Sequence, residues 1–208
     1  MTPDLFRRLT QELYQRLSIK GVEPFRLAAY ERLARAAQSL PDSAFHRLDT
    51  LLEALRTYPG IGTSLIALAQ SLYETGSAPI LEELRAEIPD SVLEMLHIGG
   101  LGTKRIHQVW YELHIPSPDK LLEAIQRGKL QKLRGWGAAT LRHIEEQVRR
   151  YLESRHLLLY YEAARLWEKV LDLVGQLRSF LYPVGEFRRA MPVLERVEGA
   201  VPLSQREN

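Results

Sequence analysis

The 208-residue chain contains no cysteine, so neither a disulfide nor a thiolate metal site can hold it together, and a reducing compartment such as the cytoplasm suits it. No hydrophobic run reaches membrane-spanning length. The N-terminus, MTPDLFRRLTQELYQRL, is charged and helical in period, without the apolar core of a signal peptide, so no membrane association is expected. Net charge is small, +2, which argues against polyanion binding over the whole surface. Lysine is absent between residues 57 and 103. What the chain does have is 45% apolar residues and enough length for one domain or two small ones around a real core, which excludes a disordered chain.

The small net charge conceals an uneven distribution. Residues 71 to 96 carry six acids (Glu74, Glu82, Glu83, Glu87, Asp90, Glu94) against Arg85, a sum of −5; residues 97 to 150 carry ten Lys or Arg against five acids, a sum of +5. Such a pair of segments can present one side to a polyanion and repel it from another. The same charges also read as ordinary solvated helix faces.

An internal repeat is the most informative feature. Tyr58-Pro59-Gly60-Ile61-Gly62, Ile98-Gly99-Gly100-Leu101-Gly102 and Leu133-Arg134-Gly135-Trp136-Gly137 share the pattern apolar-x-Gly-apolar-Gly. Five positions before the first glycine of each pair stand Leu55, Met95 and Leu130. Six, nine and thirteen positions after it stand Ile66, Ala69 and Tyr73, then Ile106, Val109 and Leu113, then Leu141, Ile144 and Val148. Offsets of three and seven mark one helix face, so each copy predicts an apolar segment, a glycine turn and an amphipathic helix. A hairpin this tight needs positive φ, which glycine supplies without steric cost. Thr63 and Thr103 fall where helix N-caps are expected. Backbone N–H groups at such a turn and helix start face outward, where the helix dipole also favours a phosphate oxygen, and contacts of that kind see the backbone and not the bases. Turns that merely pack are the other reading. Phosphate binding also needs cations. The second copy has Lys104 and Arg105, the third has Lys129, Lys132, Arg134 and Arg142, and the first has only Arg56, which ranks copies two and three above copy one.

Around the repeats the chain reads as mainly α. Leu5, Leu9, Leu13 and Leu17 predict a first helix, Pro24 opens a second to about Leu40, and a third covers about Ser43 to Arg56. Gly76 ends the helix after the first hairpin, and Ile88-Pro89-Asp90 and Ile115-Pro116-Ser117 separate short helices. Residues 155 to 181 read as one apolar helix, including Leu157 to Tyr161, Leu166, Trp167, Val170, Leu171, Val174, Leu177 and Phe180; Pro183 to Phe187 and Val193 to Val201 are expected as short strands.

The segments GVEPFRLAAYERLARAAQSLP, YPGIGTSLIALAQSLYETG, IPDSVLEMLHIGGLGTKRIHQVWYEL and GKLQKLRGWG together resemble the N-terminal region of bacterial family X DNA polymerases, over roughly residues 3 to 180. The resemblance implies a lyase-like helical domain with the first helix-hairpin-helix at 1–78, a fingers-like domain with the second and third at 79–152, and an apolar helix with a vestigial palm stub and a short β-hairpin remnant at 153–208. It implies DNA repair and binding of nicked, gapped or duplex DNA. It also implies a structural Na+ or K+ at the backbone carbonyls of Arg56, Tyr58 and Ile61 and of Leu96, Ile98 and Leu101.

Both active sites of the family depart from pattern. The lyase lysine, which attacks a sugar aldehyde as an amine, falls on Leu68, and its neighbour on Thr63 or Ser64. Arg26 and Tyr30 match positions lining a 5′-phosphate pocket; otherwise they read as a solvated charge and a core aromatic. The palm strand Gly-Ser-x-Arg-Arg falls on Gly185-Glu186-Phe187-Arg188-Arg189, and the two magnesium-binding aspartates fall on Arg196 and Glu198. The sequence closes at Asn208 before the rest of a palm, so a truncated, degenerate palm is expected. The resulting expectation is a DNA-binding protein without catalysis, gripping the backbone through Gly60, Gly62, Thr63, Gly100, Gly102, Thr103, Lys104, Arg105, Lys132, Arg134, Gly135, Gly137 and Arg142. Two alternatives stay open: residual lyase activity through an amine such as Lys20 or polymerase activity with a palm supplied in trans, and a protein-interaction scaffold. The 155–181 helix would be covered by a homodimer or protein partner, or by the tail at 182–201 folding back.

Overall fold

A computed structural model of the chain describes residues 1–155, 157–175, 180–191 and 193–201. The fold is mainly helical, with short antiparallel strand pairs near its C-terminal end, and it divides into two compact units, Met1–Arg149 and Arg150–Asn208. Among the described residues no helix is long and apolar enough to cross a membrane.

In the first unit, helix α1 (Pro3–Lys20) is signalled at both ends. Thr2 Oγ1 accepts from the Leu5 N–H at 3.4 Å, Pro3 sits in the first turn, and Gly21, at φ 77°, closes the helix through its N–H to the Leu17 carbonyl. Leu9, Leu13 and Leu17 are buried as their spacing predicts. Helix α2 (Pro24–Ser39) packs along α1. The single helix expected from Ser43 to Arg56 is two pieces, a 3-10 turn at Asp42–Phe45 and α3 (Leu48–Arg56). The break has a packing cause: Phe45 is drawn into the core, with its ring 5.6 Å from that of Phe6 and the Arg7 guanidinium 5.0 Å away, and the chain must extend at Arg47 to bring Leu51, Leu52 and Leu55 to the same core. Helix α4 (Thr63–Thr75) ends at Gly76, φ 73°.

Helices α5 (Pro79–Glu87), α6 (Asp90–Leu93), α7 (Thr103–His107, continued by a π turn at Gln108–Glu112), α8 (Pro118–Gln126) and α9 (Ala138–Ser154) follow. The boundary expected at 78/79 lies inside the first unit, where α1 touches both sides of it. Arg16 on α1 is fully buried. Its guanidinium donates to Glu12 Oε1 at 2.9 Å, to the Ile88 carbonyl and to Asp90 Oδ1, while Arg85 grips both oxygens of Glu12 at 2.8 Å. One turn on, Lys20 Nζ lies 2.5 Å from Glu87 Oε2, Glu87 Oε1 accepts from the Tyr111 hydroxyl at 2.6 Å, and His107 Nδ1 donates to the Ile19 carbonyl at 2.8 Å.

Burial pushes the Glu12 carboxyl upward, but Arg85 and Arg16 more than offset this and hold it below its ordinary value near 4.5; for Glu87 burial is likewise outweighed by Lys20 and Tyr111. A carboxyl lowered in the folded state binds fewer protons there than when unfolded, so its stabilisation is complete above its ordinary value and is lost as pH falls through the lowered one. The thermal midpoint is therefore expected to hold above about pH 5 and to decline below about pH 4.5. Glu12→Gln should lower it at neutral pH and converge with the unaltered chain at low pH; parallel curves would remove Glu12 from the account.

In the second unit the helix expected at 155–181 is shorter. Leu158–Leu159 form strand β1 and helix α10 runs Tyr160–Val174, while Leu177 lies outside the described residues. Strand β2 (Tyr182–Val184) stops before the expected Phe187, because Gly185 at φ 65° leaves the extended region and Gly185–Arg188 forms a helical turn, α11. Strand β3 (Val193–Leu194) pairs antiparallel with β1, and β4 (Glu198–Ala200) with β2. Trp167 and Leu171 are each only 8% exposed, packed with Leu194, Leu181 and Val197; a methyl on Gly199 would stand 2.8 Å from Trp167 Cη2. The tail thus folds back over the helix, and these two residues, expected also as a homodimer or partner face, are covered from within; Leu166 and Leu173 remain exposed.

Candidate nucleic-acid interface

The three glycine repeats fold into one backbone shape. Their first glycines have φ of 83° (Gly60), 84° (Gly100) and 86° (Gly135). In each, the residue two before that glycine donates its N–H to the carbonyl three further back: Tyr58 to Leu55, Ile98 to Met95 and Leu133 to Leu130, at 3.0–3.1 Å. Each then accepts from the residue between the glycines, Ile61, Leu101 or Trp136, at 3.1–3.3 Å. The carbonyl of the second glycine, Gly62, Gly102 or Gly137, accepts from the N–H four residues on as the helix begins. Only a residue free to adopt positive φ permits this turn at the first glycine.

The apolar offsets read from sequence hold the shape in place. Leu55, Met95 and Leu130 are fully buried, as are Ala69, Val109 and Ile144, with Ile66, Ile106 and Leu141 beside them. At the last offset Val148 is fully buried and Tyr73 half-buried, and the second copy departs further. The π turn shifts the helix face, so Leu113 is only half-buried and Ile115, whose N–H reaches the Val109 carbonyl at 3.0 Å, is buried instead.

The N-caps differ from expectation. Gly62 and Gly102 occupy the cap positions in extended conformation, and Thr63 and Thr103 are the first helical residues. No side chain caps either helix start. A glycine cap leaves the first-turn N–H groups without the side-chain oxygen a threonine would have placed over them, so they stay available to an external acceptor.

Lys104, Lys132, Arg134 and Arg142 are exposed. Arg105 is half-buried: its Nη1 donates to the Gly100 carbonyl at 2.7 Å, and its guanidinium lies 5.9 Å from the Trp136 ring centre. Trp136 is itself buried and donates Nε1 to Gln108 Oε1 at 2.9 Å, while Gln108 Nε2 reaches the Arg134 carbonyl at 3.4 Å. The structure therefore joins the second and third hairpins through Arg105, Trp136 and Gln108. From α9, His143 and Gln147 lie against Gly100 and Gly99. Neither Gln108 nor His143 carries a signal in the sequence beyond its helical position.

The carbonyls of Tyr58 and Ile98 each accept one hairpin N–H and keep a second lone pair. Tyr30 and Leu68 line a groove with Ser64, Ala67, Ser71 and Pro79, and no amine lines it. Arg26 is exposed at the start of α2 and does not line that groove. Lys20, the substitute amine weighed from sequence, is held by Glu87. Arg196 and Glu198 pair with each other at 3.1 Å.

No family model matches the chain. Among curated proteins it is similar to the DNA polymerase/3'-5' exonuclease PolX of Bacillus subtilis (strain 168), with 29% identity over 130 residues. That stretch is 62% of this chain and 22% of the relative, so the similarity to a family X DNA polymerase covers a minor part of that protein's length.

Proposed function

We propose that the chain is a sequence-independent DNA-binding protein, acting in DNA repair in the cytoplasm, that grips the phosphate backbone of nicked, gapped or duplex DNA without polymerase or lyase catalysis. The observation that carries this reading is the repetition of one hairpin shape, with first-glycine φ of 83°, 84° and 86°, each leading to a helix start. Exposed Lys104, Lys132, Arg134 and Arg142 stand beside two of the hairpins. Amides at a helix start attract a phosphate oxygen, and neighbouring cations release counterions on binding. Arg105 takes part chiefly by bracing the second hairpin against Trp136.

On this reading 1–78 is a lyase-like segment, 79–152 a fingers-like segment and 153–208 a palm remnant. Leu68 cannot form a Schiff base, and Arg196 places a cation where a magnesium ligand would stand. Tyr30 with Arg26 would hold a 5′-phosphate without cleaving the sugar. The carbonyls of Arg56, Tyr58 and Ile61 and of Leu96, Ile98 and Leu101 would hold a Na+ or K+; the spare lone pairs of Tyr58 and Ile98 fit such an ion.

A gel-shift series on duplex, nicked, gapped and single-stranded DNA at two salt concentrations tests the reading. Salt-sensitive binding to at least one duplex-containing form is expected. Binding to none would return the hairpins to simple packing turns, and a borohydride-trapped adduct on an abasic 5′ end would restore lyase chemistry.

A further inference from the structure

The acids between residues 71 and 96 take no part in the DNA-binding reading above, and the structure gives two of them partners on the first helix. Glu87 pairs with Lys20 and Asp90 with Arg16, while Arg85 of the same segment grips Glu12. Two contacts from α7 lie beside these ion pairs. The Ile19 carbonyl, one of those that the end of α1 leaves without a helical partner, accepts from His107 Nδ1 at 2.8 Å. The Tyr111 hydroxyl donates to Glu87 at 2.6 Å, and the Tyr111 ring centre lies 4.7 Å from that of His107. The two helices meet closely: a methyl on Gly21 would stand 3.4 Å from His107 Cε1.

Helix α1 packs against α4, which leaves the first hairpin, and against α7, which leaves the second. Between the two hairpins the segments could swing about the short link at 76–78. That link is tied down as well. The Ser77 carbonyl accepts from the Ser71 hydroxyl at 3.1 Å, the Ser77 N–H donates to Thr75 Oγ1 at 3.2 Å, and Ala78 is buried. A hinge needs few packed contacts and backbone free to turn, and this link has neither. Both hairpins belong to the one compact unit Met1–Arg149.

We propose that α1, gripped by His107 and Tyr111, holds the first and second hairpins at one fixed spacing, so that gapped DNA meets a pre-formed two-hairpin grip and not two segments that close on it. His107 and Tyr111 are positioning residues in this grip. They act by keeping one hairpin near the strand once the other has bound, which raises its effective concentration and spares the cost of ordering the two on binding. This spacing role rests on the DNA-binding reading above.

Because the chain has no cysteine, two spin labels can be attached at Glu53→Cys on α3, which enters the first hairpin, and Gln126→Cys on α8, which follows α7; both positions are exposed. The distance between the labels is expected to form one narrow distribution that a gapped duplex shifts by less than about 2 Å. His107→Ala with Tyr111→Phe removes no lysine or arginine; it should broaden the distribution and weaken binding to the gapped duplex about 10-fold. His107→Gln, whose amide can still donate to the Ile19 carbonyl, should keep both the distribution and the affinity. If the double variant does not fold, Tyr111→Phe alone takes its place with the same directions expected. A broad or two-peaked distribution in the free chain, or a larger shift on DNA, overturns the fixed spacing and leaves the DNA-binding reading standing. Broadening without loss of affinity overturns the role of the spacing in binding, and loss of affinity with the distribution unchanged does so too, since it makes His107 or Tyr111 a direct contact. Absence of salt-dependent binding by the unaltered chain overturns the reading beneath it, whatever the labels show.

Discussion

Replacing Lys104, Lys132 and Arg134 together with alanine is expected to reduce affinity for DNA on the order of 100-fold at low salt and to lower the salt slope by about 2 to 3. All three are exposed and lie beside the second and third hairpins, so the loss should come from fewer released counterions and not from unfolding. The thermal midpoint should therefore stay within a degree or two, because surface charges away from packed features contribute little to stability. Arg105 is left out of this variant deliberately. Its removal would free the Gly100 carbonyl and uncover the Trp136 face, mixing loss of charge with loss of hairpin geometry. The check is a set of anisotropy titrations over a salt series, with thermal melts of the same samples. Unchanged affinity with an unchanged melt would remove these cations from the interface.

Arg16→Ala is expected to be the most destabilising single substitution considered. Arg16 is fully buried and donates to Glu12, to the Ile88 carbonyl and to Asp90, so truncation strips partners from a buried carbonyl and leaves a void. Removing one member of a buried ionic cluster costs about 3 kcal/mol or more, which lowers the midpoint of a chain this size by roughly 6–12 °C. Asp90 is well exposed and will rehydrate, which keeps the expected cost at the lower end. Arg16→Met retains most of the volume and should recover part of the loss; equal damage from both would point to the hydrogen bonds and not to packing. Since this cluster fastens α1 to residues 85–90, hydrogen exchange in that segment should quicken first.

The hairpins were legible in the sequence because everything that makes them is local. A glycine at positive φ, an apolar residue five before it and a helix face after it all fall within about twenty residues, and burial of Leu55, Met95 and Leu130 follows from that spacing. What escaped was set by groups distant along the chain. Arg32 reaches Gly60 from another helix, and Gln108 ties Trp136 to the preceding hairpin; neither has a spacing to betray it. The threonine caps were misplaced by one residue because glycine is itself a permitted cap, so residue type alone did not choose between Gly62 and Thr63. The break at Arg47 and the π turn at Gln108–Glu112 arise where packing of Phe45 and Ile115 overrides local helix preference. For residues 155–181 the sequence posed two coverings of an apolar helix, and the burial of Trp167 beneath Leu194 and Gly199 shows the tail covering that part of it, while Leu166 and Leu173 stay exposed.

Holding the DNA backbone without reading bases, as proposed for the chain, is tested most directly by the affinity of the full chain for two gapped duplexes of unrelated sequence across a salt series. The two affinities are expected to agree within about threefold and to fall together on one steep slope, since phosphate contacts carry no sequence information. Affinity for one sequence that survives rising salt while the other is lost would contradict it.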